Sequence, residues 1–196
     1  MKASFKRRLG AYLIDIILLG MVLMIVYTIL PEGQNIHALN QEMNEITELA
    51  LNQEISFGTY LYRYANVIHD LDTERALYSV INAFLIIGYF IAIPYFQDGQ
   101  TLGKKLFNIK VKRNDGELIA LNDLLLRSLI IHGLGYMMVS LACIYILPAM
   151  PYFIVTTIFG FIQIFLVILC LLMVLYRKDK RGLHDMIAKT SVVVVK

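Results

Sequence analysis

Two charged residues near the N-terminus lie where a bilayer would make them costly. Asp15 lies inside an apolar stretch that continues to Leu30, and Arg8 precedes it by seven residues. Seven residues are nearly two helical turns, so both lie on one helix face, about 10 Å apart along the axis. Acids inside a membrane usually face a bundle interior or a water cavity and mark a functional site. Asp15 is therefore a candidate site residue, whereas Arg8 could simply set the helix orientation.

A glycine-rich turn with lysines is the second candidate feature. The segment GQTLGKK, residues 99–105, contains Thr101, Gly103 and Lys104. The backbone N–H groups of such a turn could cradle an anion. A tight turn that places lysines at the membrane surface explains the same residues, because the strand–helix context of a phosphate loop is missing.

Three further polar residues lie close to apolar stretches. Arg127 and His132 flank the start of one stretch, and Asp185 lies in RGLHD, residues 181–185. Arg127 has the position of an interfacial anchor, and His132 could be a hydrogen-bonded bundle residue or a proton carrier. The pair His184–Asp185 offers too few ligands for a metal site, which takes three or four.

The composition identifies the class of protein that must position these residues. The 196 residues are 58% hydrophobic and 17% charged, and the mean hydropathy is +0.65. Soluble domains carry about 25% charged residues, and an apolar run of about 20 residues spans a bilayer. We predict an all-α membrane protein that forms one domain over residues 1–196. The predicted transmembrane helices cover residues 9–30, 76–96, 128–147 and 152–176, and the first is a retained anchor without a small-residue cleavage site.

The distribution of charge predicts the orientation. Residues 1–8 hold four basic residues and no acid, and residues 31–75 hold two basic residues against eight acids. Residues 97–127 hold six against four, and residues 177–196 hold six against two. The positive-inside rule therefore predicts a multi-pass protein of the cytoplasmic membrane with both termini cytoplasmic and residues 31–75 outside.

Two of the connecting segments contain predicted structure of their own. Apolar residues at helical spacing from Ile36 to Ala50 predict an external amphipathic helix, which either caps the bundle or forms a lid or docking surface. The cytoplasmic segment 97–127 predicts a β-hairpin of residues 106–112 and 118–121 around an Asn-Asp-Gly turn. The β-prone residues 192–195 are expected to add a third strand.

Several function classes are not expected. Cys143 and Cys170 lie in apolar stretches and read as buried thiols rather than a disulfide. The basic residues lie beside predicted spans, so topology explains them and no nucleic-acid partner is expected. The chain contains no dinucleotide or Walker motif, which leaves no cofactor to predict. No nucleophile–base pair on a recognisable scaffold supports an enzyme.

Taken together, three sequence blocks resemble the RDD family of small bacterial integral membrane proteins. RLGAYLID supplies Arg8 and Asp15, and RGLHD supplies Asp185, at the arginine and two aspartates that name the family. DGQTLGKKLFNIKVKRNDG, residues 98–116, resembles the family's turn after the second span, and LNDLLLRSL places Arg127 at another family position. The acidic segment 31–75 departs from the pattern.

The resemblance leaves two function hypotheses open, since a shared architecture does not fix an activity. The first is transport of a cation, a proton or another small solute by a cluster of Arg8, Asp15 and Asp185, supported by Thr101, Gly103, Lys104, Arg127 and His132. Four helices are few for a carrier, so transport is expected to require a homo-oligomer. The second is a non-catalytic membrane partner or regulatory subunit that docks through segment 31–75 or the cytoplasmic hairpin.

Side-chain directions predict that Asp185 pairs with Arg8, and that Asp15 faces a polar pocket with help from Arg127 or His132.

Overall fold

The computed structural model describes residues 1–31 and 33–195. Glu32, in the turn that the sequence predicts after the first span, lies outside the described residues. The described chain forms ten helices and two strands, connected mostly by short turns. In chain order the elements are α1 (Phe5–Ile29), α2 (Ile36–Leu51), α3 (Phe57–Glu74), α4 (Ala76–Ile87), α5 (Ile93–Phe96), α6 (Leu102–Leu106), β1 (Ile109–Arg113), α7 (Leu121–Ile131), α8 (Leu134–Ile146), α9 (Ala149–Tyr176), α10 (Leu183–Ile187) and β2 (Thr190–Val194).

Three helices in the described residues are long and apolar enough to cross a bilayer. They are α1, the continuous helix Ala76–Phe96 and α9, with mean hydropathies of 2.5, 2.1 and 3.0. The second consists of α4 and α5 joined by a π-helical turn at Gly88–Ala92. Only 11%, 17% and 11% of the residues in their apolar windows are buried inside the protein, which suits helices that face lipid. This confirms the predicted apolar helices. α9 follows its N-cap residue Pro148 and begins at Ala149, and it includes Pro151 because proline is tolerated in the first turn of a helix.

The predicted third span is not one straight helix. The chain forms α7 from Leu121 to Ile131 and α8 from Leu134 to Ile146, and the two are bent by 74°. Gly133 between them has a φ of +70°, a conformation that favours glycine. The described residues therefore contain three candidate crossings, or four if the bent pair α7–α8 serves as one.

The predicted β-hairpin is wrong, whereas the predicted tail strand is confirmed. β1 pairs antiparallel with β2, from Ile109 opposite Val194 to Arg113 opposite Thr190. Residues 114–120 form a turn without a strand, and Leu118 is 84% exposed. β1 pairs with β2 rather than with residues 118–121 because β2 brings β-branched residues such as Val192 into the core.

Both outer edges of this small sheet are covered by other backbone segments. Val111 donates its N–H to the carbonyl of Gly99 (3.0 Å), on one side of β1. On the other side, Ala3 donates to the carbonyl of Val192 (2.9 Å) and Val194 donates to that of Met1 (2.9 Å). We call the end of the bundle that carries this sheet the sheet end.

The amphipathic helix predicted in segment 31–75 is confirmed as α2. It packs antiparallel on α3, which Ser56 caps by accepting a hydrogen bond from the Thr59 N–H (3.2 Å). Ile46, Val67 and Leu71 form a small core between the two helices. The α2–α3 hairpin lies at the end of α1 opposite the sheet, which we call the hairpin end, and the ring of Tyr64 packs edge-on against Phe153 of α9.

Candidate functional site

Asp15 is buried and its carboxylate is bound by three neutral donors. Its Oδ1 accepts hydrogen bonds from the Tyr89 hydroxyl (2.6 Å) and the Gly103 N–H (2.8 Å), and its Oδ2 accepts one from the Thr101 hydroxyl (2.6 Å). The residue is 1% exposed. Thr101 and Gly103, which were predicted to support the polar cluster, bind Asp15 directly.

The glycine-rich turn is shaped to reach Asp15. Thr101 caps α6 by accepting a hydrogen bond from the Lys104 N–H (3.3 Å) while its own hydroxyl donates to Asp15. A Cβ at Gly103 would lie 2.2 Å from the carbonyl oxygen of Ala11 and 2.7 Å from Asp15 Oδ1. Only glycine allows α6 to approach α1 this closely. The anion that this turn cradles is the protein's own carboxylate.

Asp185 is buried a short distance away and is bound by two arginines. Arg8 Nη1 donates to its Oδ2 (2.9 Å), Arg127 Nη1 donates to its Oδ1, and the Gly182 N–H donates to Oδ2 (3.3 Å). The predicted contact of Arg8 with Asp185 is confirmed. Arg127, which was predicted to help form the pocket of Asp15, binds Asp185 and the Thr190 hydroxyl (2.7 Å).

These contacts fix the protonation states at α10. Burial by itself raises the pKa of Asp185, but the charges of Arg127 and Arg8 outweigh it and hold that pKa below its usual range. Burial lowers the pKa of His184 to about 3, so its imidazole is neutral at physiological pH. Asp185 is therefore an ionised carboxylate between two guanidinium groups, and this clamp joins α1, α7 and α10.

A cavity of about 180 Å³ lies beside both acids, between α1, α7 and α9. We call it the basic cavity. Its polar lining consists of Arg8, Asp15, Lys104, Arg127, Ser128, His132 and His184. The rest of its wall is mostly apolar and includes Phe5, Leu9, Tyr12, Phe90, Leu124, Val167, Cys170, Leu171 and Val174.

Lys104 is the cation in this cavity that has no partner. Within the described chain its ammonium makes no hydrogen bond or ion pair, whereas Arg8 and Arg127 are both bound to Asp185. Burial, followed by the charge of Arg127, lowers the pKa of Lys104 to about 8, and Asp15 and Asp185 act in the opposite direction. The cavity is thus lined by three basic side chains and one acid, Asp15, and it complements an anion.

His132 lies at the break between α7 and α8 and closes one side of the cavity. Its ring stacks on Phe90 with centroids 3.7 Å apart, and its Nδ1 lies 3.1 Å from the Ser128 hydroxyl. The structure thus places the predicted residues Arg8, Asp15, Lys104, Arg127 and His132 around one cavity. Asp185 lies directly behind Arg8 and Arg127.

Tyr89 is a site residue that sequence reasoning missed. It lies in the π-helical turn of the second span, and its hydroxyl binds Asp15. The available signal was a tyrosine deep in an apolar helix, since a buried hydroxyl usually finds a hydrogen-bond partner.

A second polar cluster lies near the hairpin end. The Tyr152 hydroxyl donates to Asp72 Oδ2 (2.8 Å) and lies 3.1 Å from the Ser140 hydroxyl. Beside it, a cavity of about 280 Å³ opens between α3, α8 and α9, with Asp72, Tyr136 and Thr156 in its lining. We call this the hairpin-end cavity.

Comparison with known proteins identifies related sequences. A family model described as the RDD family matches residues 2–189, a range that contains all the candidate residues named above. The uncharacterized protein YckC of Bacillus subtilis (strain 168) is 31% identical over 114 residues. That alignment covers 58% of this chain and 60% of YckC. No solved structure matches the chain.

Proposed function

The chain belongs to the RDD family, and on that premise we propose that it is a membrane transporter for small organic anions, with the basic cavity as its binding site. The observation that carries this proposal is the Lys104 ammonium, which has no partner among the described residues, in a cavity whose one lining acid, Asp15, is already bound. The proposed activity involves binding and passage, without covalent chemistry.

The occupancy of the carboxylate oxygens favours an anion over the cation that the family resemblance first suggests. A metal cation needs oxygen ligands with free lone pairs directed at it. Asp15 already accepts three hydrogen bonds, and Asp185 accepts two from arginines and one from Gly182. A cation would compete with these donors for the carboxylate oxygens, whereas an anion meets the Lys104 ammonium directly.

The size and wall of the cavity limit the ligand further. Pockets for drug-sized ligands measure about 300–1,000 Å³, and the basic cavity at about 180 Å³ is smaller. Its wall combines apolar and aromatic side chains with a few polar groups at one side. A ligand with one carboxylate or sulfonate and a short apolar body satisfies both features.

Lys104 also suggests how a proton accompanies the anion. Because burial lowers the pKa of Lys104 to about 8, part of the population is neutral near physiological pH. An anion bound beside it raises that pKa, since an opposite charge favours the ammonium form. A neutral Lys104 therefore takes up a proton when the anion binds. The anion and the proton then move together, so that less net charge crosses the membrane.

We further propose that the sheet end faces the cytoplasm. The basic segments 1–8, 97–127 and 177–196 all contribute to the sheet end, and the acidic α2–α3 hairpin lies at the other end. Many outward side chains of α1 and α9 are apolar and exposed, such as Met24 at 71% and Phe161 at 70%, so a lipid bilayer is the environment that they fit.

The alternative role as a docking partner has less support. The apolar side of α2 packs on α3, and both edges of the small sheet are covered by neighbouring backbone. The apolar side of α2 and the edges of the sheet are therefore used within the chain.

Binding is tested with two ligands that share an apolar body and differ in charge. We expect hexanoate to raise the melting temperature of the purified protein in detergent and hexylammonium to leave it unchanged. Lys104→Met is the matched variant, and it should lose the hexanoate effect. Stabilisation by hexylammonium alone would overturn the anion assignment.

Transport is tested in proteoliposomes that contain only this chain. Pentanesulfonate is a suitable cargo because it stays anionic and crosses lipid poorly on its own. We expect an inward pentanesulfonate gradient to drive uptake and to acidify the lumen, as reported by an enclosed pH dye. Hexanoate binding without any pentanesulfonate flux would sink the transport proposal and leave a binding protein.

A further inference from the structure

One face of α9 carries polar residues through the whole apolar helix. Tyr152, Thr156, Gln163 and Cys170 follow each other at spacings of four, seven and seven residues, which place them on a single face. Tyr152, Thr156 and Cys170 are buried, and Gln163 is half-buried. The neighbouring positions on the opposite face, such as Phe165 at 63% exposure, are apolar and point outward. The polar face of α9 therefore points into the protein.

Residues on or beside this face line both cavities. The hairpin-end cavity touches Thr156, Gly160 and Ile164 of α9, and the basic cavity touches Val167 and Cys170. Gln163 lines neither cavity, lies on this face between Gly160 and Val167, and is the fifteenth residue of a 28-residue helix. It is thus the polar side chain halfway along α9, at the boundary between the two cavities.

Gln163 also bonds to the broken helix. Its Nε2 donates to the carbonyl oxygen of Ile130 (2.6 Å), in the last turn of α7. The last four carbonyls of a helix have no partner within it, so this amide satisfies a group that the break leaves free. Gly133 follows at the break, where a Cβ would lie 3.9 Å from Gln163 Nε2. The Gln163 amide therefore links α9 to the end of α7, at the point where the chain turns.

We propose that the transported anion passes along the inner face of α9 between the two cavities, and that Gln163 is the gate residue it must engage. This inference rests on the proposed transport function. The Gln163 amide exchanges the Ile130 carbonyl for the anionic group of the cargo. A hydrogen bond to an ionised acceptor is stronger than one to a neutral carbonyl, which favours the exchange. The break at Gly133 lets α7 and α8 move apart, as interrupted helices in other transporters do around their sites.

Substitution at the gate separates passage from binding. Gln163→Leu keeps the approximate volume and removes the donor. We expect pentanesulfonate flux to fall about tenfold or more, the cost of losing a hydrogen bond to a charged group, while hexanoate still raises the melting temperature. Gln163→Asn retains an amide and should recover part of the flux. Phe165→Leu, on the outward face, is the matched control and should leave flux unchanged.

A chemical block provides a second measurement that does not depend on the leucine variant folding. In a background with Cys143→Ala and Cys170→Ala, Gln163→Cys is treated with an anionic methanethiosulfonate reagent, and Phe165→Cys serves as control. We expect the reagent to stop flux at position 163 and to have no effect at position 165.

The outcomes distinguish this inference from the proposed function. Absence of flux in the unmodified chain would remove the transport proposal itself. Normal flux in the unmodified chain, in Gln163→Leu and after modification of Cys at position 163 would overturn the gate alone. In that case the amide of Gln163 serves only to satisfy Ile130, and its loss would show as a lower melting temperature.

Discussion

Asp15 and Asp185 are two buried acids at the same end of the protein, and they are stabilised in different ways. Asp185 lies between the guanidinium groups of Arg8 and Arg127, so its charge is neutralised by direct contacts. Asp15 is held by two hydroxyls and one backbone N–H, which carry no net charge. Both carboxylates raise the pKa of Lys104, and Asp15 has the larger influence of the two. The comparison assigns Asp185 to structure and Asp15 to tuning the ligand site.

The largest expected effect is the loss of the Asp185 clamp. Asp185→Asn leaves two buried arginines without their counter-charge, and breaking a buried ion pair costs about 3–5 kcal/mol. For a chain of this size we expect the melting temperature to fall by roughly 6–20 °C. Thermal unfolding in detergent measures this. Asp98→Asn, at an exposed pair with Lys110, is the control and should change little.

Asp15→Asn should have a smaller effect on stability and a larger effect on binding. The amide can still accept hydrogen bonds but places an N–H group where a donor now points, which costs about 1–3 kcal/mol. Loss of the charge removes an influence that raises the pKa of Lys104. We expect the pH at which hexanoate binding is half lost to move downward. An unchanged pH midpoint with a lower melting temperature would make Asp15 purely structural.

Gly103→Ala tests the close approach on which the Asp15 site depends. The added Cβ would meet the carbonyl of Ala11 at 2.2 Å, so α6 must move away and overpacking costs about 1–3 kcal/mol. We expect a lower melting temperature together with weaker hexanoate binding. Gly20→Ala, where the new Cβ meets nothing within 4 Å, is the matched control in α1. Equal behaviour of the two variants would contradict the packing described for α6.

Lys104 affects stability in a way that depends on pH, and its effect on binding is direct. Because the folded pKa of Lys104 is about 8 and its ordinary value is 10.5, the unfolded chain holds this proton between those pH values while the folded chain does not. The free energy of unfolding therefore rises with pH from about 8 to 10.5, and its contribution is least favourable below pH 8.

This pH dependence is measured as a difference between the unmodified chain and Lys104→Met. The free energy of unfolding is measured by chemical denaturation at about pH 7.5, 9 and 10.5. It should rise with pH only in the unmodified chain. In parallel, hexanoate binding should weaken above pH 8 in the unmodified chain. Lys104→Arg stays charged throughout and should bind without that loss. A parallel pH response of all three proteins would remove Lys104 from the site.

Local patterns in the sequence predicted much of the architecture. The apolar runs at Ala76–Phe96 and in α9 predicted membrane helices because hydropathy is a property of consecutive residues. The helical spacing of apolar residues predicted α2 for the same reason. Side-chain direction on a helix, together with opposite charges at both ends of the chain, predicted the contact between Arg8 and Asp185.

Tertiary packing decided the features that no local pattern contains. The partner of β1 is the distant β2 rather than the adjacent residues 118–121, since burial of Val192 outweighs a short loop. The donors of Asp15 come from positions 89, 101 and 103, and Arg127 reaches Asp185 across 58 residues of sequence. The Lys104 ammonium has no hydrogen-bond or ion-pair partner among the described residues, because both acids are bound by other groups. Sequence determined the charges and the membrane helices, and three-dimensional packing determined which charges cancel, because hydrogen-bond geometry depends on distances that the order of residues does not specify.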